Sequence, residues 1–324
     1  MRRLIGANGW TVGLAALLVL LLLATKFIQP NFGPSGLDNL ARSALPFALA
    51  TVGMAVVVIA GGIDLSIAAM MAVASVTAAV LMDGASDGQA VFAVLAVLAL
   101  GVAMGALNGA LVVITRVPDI VVTLAMLFVW QGVALLILNA PGGSAALWLR
   151  AMIVGGVTLP GLPPALTEWL PRGVVVLAVV VAVVWLPIRR SKLGLMFYAV
   201  GSDPLAAFRS GVPVGPTRIA AYAVCGLFAA MGGIAVTMGT GIGEPIPGPY
   251  LLASVAAVVL GGVVLGGGRG GLLGPILAVF VLRVVRMDLT LMSVDPNMAA
   301  IVEGTIMVAV VMFGGILAIR GRKA

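Results

Sequence analysis

Histidine is absent from the 324 residues, and cysteine occurs once, at Cys225. Without imidazole there is no Ser-His-Asp triad, no His-Glu-x-x-His zinc site and no histidine proton shuttle. A lone thiol closes neither an intrachain disulfide nor a Cys-x-x-Cys site. Charge is scarce as well: 18 Lys or Arg and 11 Asp or Glu amount to 9% of the chain, against roughly 25% in a soluble globular domain. Lys26, Lys192 and Lys323 all lack the Gly-x-x-x-x-Gly-Lys-Ser/Thr context of a phosphate-binding loop. The chain itself is therefore not expected to bind or hydrolyse ATP, and ATP-driven work needs a partner. No catalytic residue, metal site or resident cofactor is expected.

What is abundant is apolar: 62% of the residues, with a mean hydropathy of +1.24. Uncharged runs recur near the bilayer-spanning length of about 20 residues, the pattern of an all-α polytopic membrane protein. The first run, Trp10 to Thr25, is flanked by Arg2, Arg3 and Lys26 and continues to Phe27 without an Ala-x-Ala step, so it reads as a retained span rather than a signal peptide. Further spans fall near Ser43–Gly62, Ser66–Met82, Gln89–Ile114, Ile120–Leu138, Gly173–Ile188, Thr217–Met238, Leu251–Leu265, Leu272–Arg286 and Met298–Ile319, making ten in all. In the ninth, Arg283 and Arg286 are expected to snorkel from the helix end. The chain, 1–324, reads as one membrane domain.

If the amino terminus is cytoplasmic, alternating loops put twelve basic residues inside: Arg2, Arg3, Arg116, Arg189, Arg190, Lys192, Arg209, Arg218, Arg269, Arg320, Arg322 and Lys323. Six fall outside: Lys26, Arg42, Arg150, Arg172, Arg283 and Arg286. This asymmetry favours cytoplasmic termini, and the net charge of +7 then reads as a topology signal rather than nucleic-acid binding. The outer loop 139–172 is rich in Gly and Pro, with Pro141-Gly142-Gly143 and Pro160-Gly161-Leu162-Pro163-Pro164. It carries Trp148 and Trp169 and is expected to fold back on the membrane surface.

Two segments carry mechanism. In Gly61-Gly62-Ile63-Asp64-Leu65-Ser66 a carboxylate sits between two apolar runs, directly after two helix-weakening glycines. A carboxylate at the centre of a spanning helix costs roughly 2.5–3.5 kcal/mol on insertion scales, so it should face protein, water or a free helix end. Two readings stay open. Asp64 or Ser66 caps a helix starting near Ile67, or the segment is a broken helix lining a substrate path, with Gly61, Gly62, Asp64, Ser66 and Asn108 as path candidates. A second Gly-Gly pair after a Val-rich run, Gly261-Gly262, is a match expected by chance among 43 glycines.

The other segment is the cytoplasmic loop 189–215, entered through Arg189-Arg190-Ser191-Lys192. Ser202-Asp203-Pro204 supplies a cap with Pro at the first helical position, and Gly211 stands where a glycine ends a helix, predicting a helix over Pro204 to Ser210. Two turns are marginal alone in water. Leu205 and Phe208 share one face that fits a partner's groove, with Ala206 and Ala207 between them and Arg209 beside them for an acidic contact. The alternative is a connector lying on the membrane surface.

These residues, with Asn108-Gly109, Thr123-Leu124, Tyr198-Ala199-Val200-Gly201, Ser210-Gly211, Ala256-Ala257-Val258-Val259-Leu260-Gly261-Gly262 and Gly267-Gly268-Arg269-Gly270, resemble the ribose-type permease subunits of ABC importers over nearly the whole chain. The resemblance implies a ten-span permease of the bacterial inner membrane, paired with a second permease copy. ABC ATPase subunits would bind ATP and Mg, and a periplasmic solute-binding protein would deliver a monosaccharide or similar small polar solute. It also implies that Asp203 to Gly211 form the ATPase-coupling element. The chain departs from the family pattern at Ile67-Ala68, at Tyr250-Leu251-Leu252 and at Asp119, which replaces a Phe.

Two other matches do not hold. Gly266-x-Gly268-x-x-Gly271 fits a dinucleotide fingerprint, but an apolar run, Leu272–Leu282, follows it instead of a soluble βαβ unit. Those glycines read as a tight cytoplasmic turn, with Arg269 near lipid phosphates. Asp288 and Asp295 are expected in an outer loop, and Glu303 near it, in solvated or capping roles; Asn108 and Gln131 read as interhelical hydrogen-bond partners. The rival function is a gradient-driven carrier or channel using Asp64 and Glu303; a membrane enzyme lacks a base, a metal cluster and a nucleophile pair.

Overall fold

The computed structural model describes residues 2–158, 163, 167–246 and 248–321. Among them every regular element is helical, and the only β pairing is two isolated bridges. The helices are α1 (Arg2–Ile28), α2 (Pro34–Ile59), α3 (Ile67–Met82), α4 (Asp87–Thr115), α5 (Asp119–Ile137), α6 (Leu147–Ala151) and α7 (Arg172–Arg190). There follow α8 (Lys192–Ser202), α9 (Pro204–Arg209), α10 (Val214–Thr240), α11 (Tyr250–Leu260), α12 (Leu273–Leu291) and α13 (Pro296–Gly321). Six are long and apolar enough to cross a bilayer, namely α2, α4, α5, α7, α10 and Gly9–Ile28 of α1. The chain is a multi-pass membrane protein.

α10 is the central strut, packed on α2, α3 and α4. Gly101, Gly105 and Gly109 recur at one-turn spacing along α4 and lie against Tyr222, Gly226 and Ala230 of α10. A Cβ at Gly105 would meet the Gly226 backbone nitrogen at 2.9 Å, so small side chains let the two backbones touch. That contact supplies the van der Waals packing on which helices in lipid depend. α1 lies on the periphery, fixed to α12 by the Thr25 hydroxyl donating to Asp288 (2.7 Å) and to the end of α11 by the Trp10 indole donating to the Leu260 carbonyl (2.6 Å).

Several boundaries differ from the sequence reading. α2 starts nine residues before Ser43, because Asp38 and Arg42 neutralise each other across one turn (3.1 Å). The run Leu251–Leu265 ends as a helix at Leu260, where Gly261 and Gly262 turn the chain. α12 runs past Arg286 to Leu291, and its arginines do not snorkel from a helix end. Arg283 lies 5.1 Å from the Phe47 ring centroid, and Arg286 pairs with Glu303 at 2.9 Å. Glu303 is thus ion-paired rather than solvated, and Asp288 is a buried member of α12 rather than a loop residue. α7 contains a π-turn at Val181–Trp185, just before Pro187.

In the outer loop, Gly142 bridges to Gly243 and the Ala145 amide donates to the Gly241 carbonyl, tying described parts of 139–172 to the end of α10. Pro160-Gly161-Leu162, Pro164, Arg322 and Lys323 lie outside the described residues.

Candidate functional site: an exposed capped helix and a helix break

α9 forms where the sequence predicts it. The Asp203 carboxylate accepts from the amides of Leu205 (2.9 Å) and Ala206 (3.0 Å), satisfying two of the helix's orphan donors. Pro204 occupies the first turn, whose N–H has no intrahelical acceptor. After Ser210 the chain turns through Gly211 at φ +83°, and the Val212 amide returns to the Ala207 carbonyl at 3.0 Å. That bond closes a Schellman motif, a conformation costly to any residue with a Cβ. Ala207 alone faces inward, while Leu205 is 57% and Phe208 68% exposed, with Arg209 exposed beside them. An apolar pair this open on a six-residue helix has no covering surface among the described residues.

The sequence reading missed α8, which delivers α9. Ser191 caps it, accepting from the Gly194 amide, and its last turn carries Gly201. A Cβ at Gly201 would collide with the Ile59 carbonyl oxygen and stand 2.6 Å from the Gly268 nitrogen. The Gly268 amide itself donates to that Ile59 carbonyl at 2.8 Å, while Gly61 and Gly267 close the same junction from the other sides. The base of α9 is therefore in backbone contact with the end of α2 and with the glycine turn after α11. Tyr198 of α8 donates to the Gly270 carbonyl at 3.0 Å; burial pushes its phenol above the ordinary value, which keeps it a neutral donor.

The helix break lies beside this junction. Gly61 at φ +84° and Gly62 end α2, with amides returning to Val58 (3.0 Å) and Val57 (2.9 Å). α3 begins at Ile67, as the capping reading predicts, but the Ser66 side chain makes no capping bond. Instead, Asp64 Oδ1 accepts from the Ser66 amide (2.9 Å) and hydroxyl (2.6 Å). Asn108 of α4 donates to the Ser66 hydroxyl (2.7 Å) and accepts from the Trp130 indole of α5 (3.1 Å). Asp64, Ser66 and Asn108 are each 0% exposed. The break is also held from α5, where Asp119 Oδ2 accepts from the Ile63 amide (2.7 Å) and the Thr123 hydroxyl accepts from the Leu65 amide (3.1 Å).

The path candidates Asp64, Ser66 and Asn108 thus meet in one buried network that fastens the break to α4 and α5. Gly61 and Gly62 sit at its edge and are half-buried. Asn108 is an interhelical partner, as expected, but Gln131 is not: it donates to the Pro245 carbonyl (2.8 Å) in the loop between α10 and α11. Asp119 and Thr123 anchor the same loop. In the sequence Thr123 stood out only as part of the Thr123-Leu124 motif and Asp119 only as a departure from the family pattern, and neither was assigned to the break. Among the described residues no group of three or more Cys, Asp or Glu is arranged to hold a metal ion.

The buried break, the glycine junction and the bare capped helix account for most of the sequence features that pointed to a permease, and comparison with known proteins agrees. Residues 36–311 match the family model described as "Branched-chain amino acid transport system / permease component". The chain is 32% identical over 304 residues to the ribose import permease protein RbsC of Escherichia coli (strain K12), covering 92% of this chain and 91% of that protein. It is 28% identical over 315 residues to the autoinducer 2 import system permease protein LsrD of Escherichia coli (strain K12), covering 94% and 91%. No solved structure matches it. The chain belongs to this family of ABC importer permeases, in its ribose-type branch.

Proposed function

We propose that the chain is the membrane-spanning subunit of an ATP-driven importer in the bacterial inner membrane. It passes a monosaccharide or a similar small polar solute, and separate ATPase subunits supply the energy. The ten spans are α1, α2, α3, α4, α5, α7, α10, α11, α12 and α13, with both termini and the segment 189–215 on the cytoplasmic side. A second permease copy completes the path, and a periplasmic binding protein delivers the solute.

The observation that carries this reading is α9 itself: a capped helix too short to stand alone, with Leu205 and Phe208 uncovered and its base locked through Gly201 to the end of α2. A push on α9 from an ATPase groove would reach Gly61 and the break at Ile63-Asp64-Leu65 through backbone contacts. Such packed junctions switch between discrete arrangements rather than deform continuously. No covalent chemistry is assigned to the chain. The rival carrier reading needs both Asp64 and Glu303 to exchange an ion, and Glu303 is already ion-paired with Arg286, whereas Asp64 is fully buried with Oδ1 on Ser66 and Oδ2 unpartnered. The similarity to permeases named for ribose and autoinducer 2 supports a small polar solute.

The test is Leu205→Asp together with Phe208→Asp. The variant is expected to insert in the membrane at wild-type levels and to lose co-purification of the ATPase subunit. Unchanged co-purification, or uptake by reconstituted permease without any ATPase, refutes the proposal.

A further inference from the structure

A cavity of about 520 Å³ opens between the α4–α5 turn and the start of α10. Its size falls in the range of small-ligand sites. Arg116, Asp119 and Arg218 line it, together with Val113, Val117 and Gly215. A water-sized recess behind it reaches Tyr222.

The charge in this cavity is positive. Asp119 is spent on its own fold: Oδ2 accepts from the Ile63 amide at 2.7 Å and from the Tyr222 hydroxyl at 3.4 Å, and Oδ1 accepts from the Ile120 amide at 3.1 Å. Among the described residues the ion pairs are Arg42–Asp38 and Arg286–Glu303, so neither Arg116 nor Arg218 is neutralised. The Nε of Arg218 is buried and has no hydrogen-bond partner. A buried donor left without an acceptor is costly, the more so when it belongs to a charged group. Arg116 sits in the left-handed region at φ 58°, a position where glycine would be cheaper.

Backbone donors converge on the same space. α10 begins after Pro213, and no side chain caps it, whereas the first turn of α5 is closed by Asp119 Oδ1 and the Pro118 carbonyl. Among the described residues the amides of Val214 and Gly215, the first two of this 27-residue helix, are left without an acceptor. These two N–H groups, the positive end of the α10 dipole and forked guanidinium donors together match a tetrahedral oxyanion.

We propose that this cavity binds a phosphate group, held by Arg116 and Arg218 at the start of α10. The phosphate would come from an anionic phospholipid headgroup or from a free phosphate-bearing solute. Either would clamp the α4–α5 turn, which anchors the helix break through Asp119, to the α10 terminus that follows α9. The inference rests on the proposed topology only for the side of the membrane that the cavity faces.

The test uses full-length protein in phosphatidylcholine nanodiscs. Binding of radiolabelled inorganic phosphate is measured by equilibrium dialysis at fixed ionic strength, and retention of phosphatidylglycerol over phosphatidylcholine is measured by native mass spectrometry. The expected result is saturable binding of at least one probe, weakened ~10-fold or more in Arg218→Gln, as loss of a charge-assisted hydrogen bond implies, and abolished in Arg116→Gln with Arg218→Gln. Phosphate binding unaffected by phosphatidylglycerol identifies a free solute; selective lipid retention that displaces phosphate identifies the headgroup. Absence of saturable binding of both probes to the wild-type protein overturns the proposal without recourse to any variant. Binding that survives in the double Gln variant also overturns it. If that variant fails to fold, Arg116→Lys with Arg218→Lys keeps the charge and is expected to bind more weakly than wild type; unchanged affinity counts against guanidinium recognition. ATPase co-purification reads none of this, so failure here and failure of the docking assignment are separable.

Discussion

Replacing Gly201 by alanine tests whether α9 is rigidly joined to the helix break. The new methyl group would fall on the Ile59 carbonyl oxygen and within 2.6 Å of the Gly268 nitrogen and 3.0 Å of the Ile59 carbonyl carbon, all backbone atoms that no rotamer change can move. Relief requires α8 to lift away and the 2.8 Å bond from Gly268 to Ile59 to open. Overpacking costs about 1–3 kcal/mol and a lost hydrogen bond about 0.5–1.5, so the substitution should cost about 2–4 kcal/mol. In a chain of this size that corresponds to a fall in Tm of about 3–6 °C. The matched control is Gly211→Ala, where nothing lies within 4 Å of a new Cβ and only the φ of +83° resists it, at about 1–2 kcal/mol. Thermal unfolding of the purified protein, with solute uptake in vesicles containing the ATPase, measures both. Gly201→Ala is expected to lose more stability than Gly211→Ala, and to lose uptake while ATP hydrolysis continues. Wild-type Tm and uptake in Gly201→Ala would refute the junction.

Two further outcomes follow from the packing. Arg286→Gln or Glu303→Gln alone should each destabilise by about 1–3 kcal/mol, since one side chain is 40% exposed and the other 12%, between the surface and buried limits. The double substitution should recover part of that loss, and strictly additive costs would show that the pair is not coupled. Cys225, the single cysteine and fully buried between α10 and the break, should resist maleimide in the folded protein and react once the chain unfolds; rapid labelling of folded protein would contradict the burial.

Much of the site could be read directly from residues because its signals are local. The Asp203-Pro204 start and Gly211 stop fix α9 within seven residues of chain, and Gly61-Gly62 ends α2 by the same glycine chemistry. The similarity of Gly261-Gly262 to Gly61-Gly62, expected by chance from composition, has a physical basis. Gly262 at φ +83° closes α11 with the same pair of returning amides that Gly61 sets up at α2. Long-range contacts were not legible. The contribution of Asp119 depends on a bond to Ile63, 56 positions away, and the burial of Asp288 depends on Thr25, 263 positions away. α8 escaped notice because its basic entrance resembles a loop boundary, although Ser191 caps it. The arginines of α12 were misjudged because hydropathy counts charge and does not see the Phe47 ring or Glu303 waiting to receive it.

The π-turn at Val181–Trp185 has a further consequence. One surplus residue in a turn rotates everything after it by about 100° relative to an uninterrupted α-helix. Here the rotation tucks Trp185 inside while Val183 stays on the outside, and it sets the compass bearing on which Arg189-Arg190 and Ser191 leave the bundle. The aim of α9 is therefore written partly into a stretch of plain valines one span upstream, and inserting or deleting a single residue there would misdirect that helix without altering any atom of it.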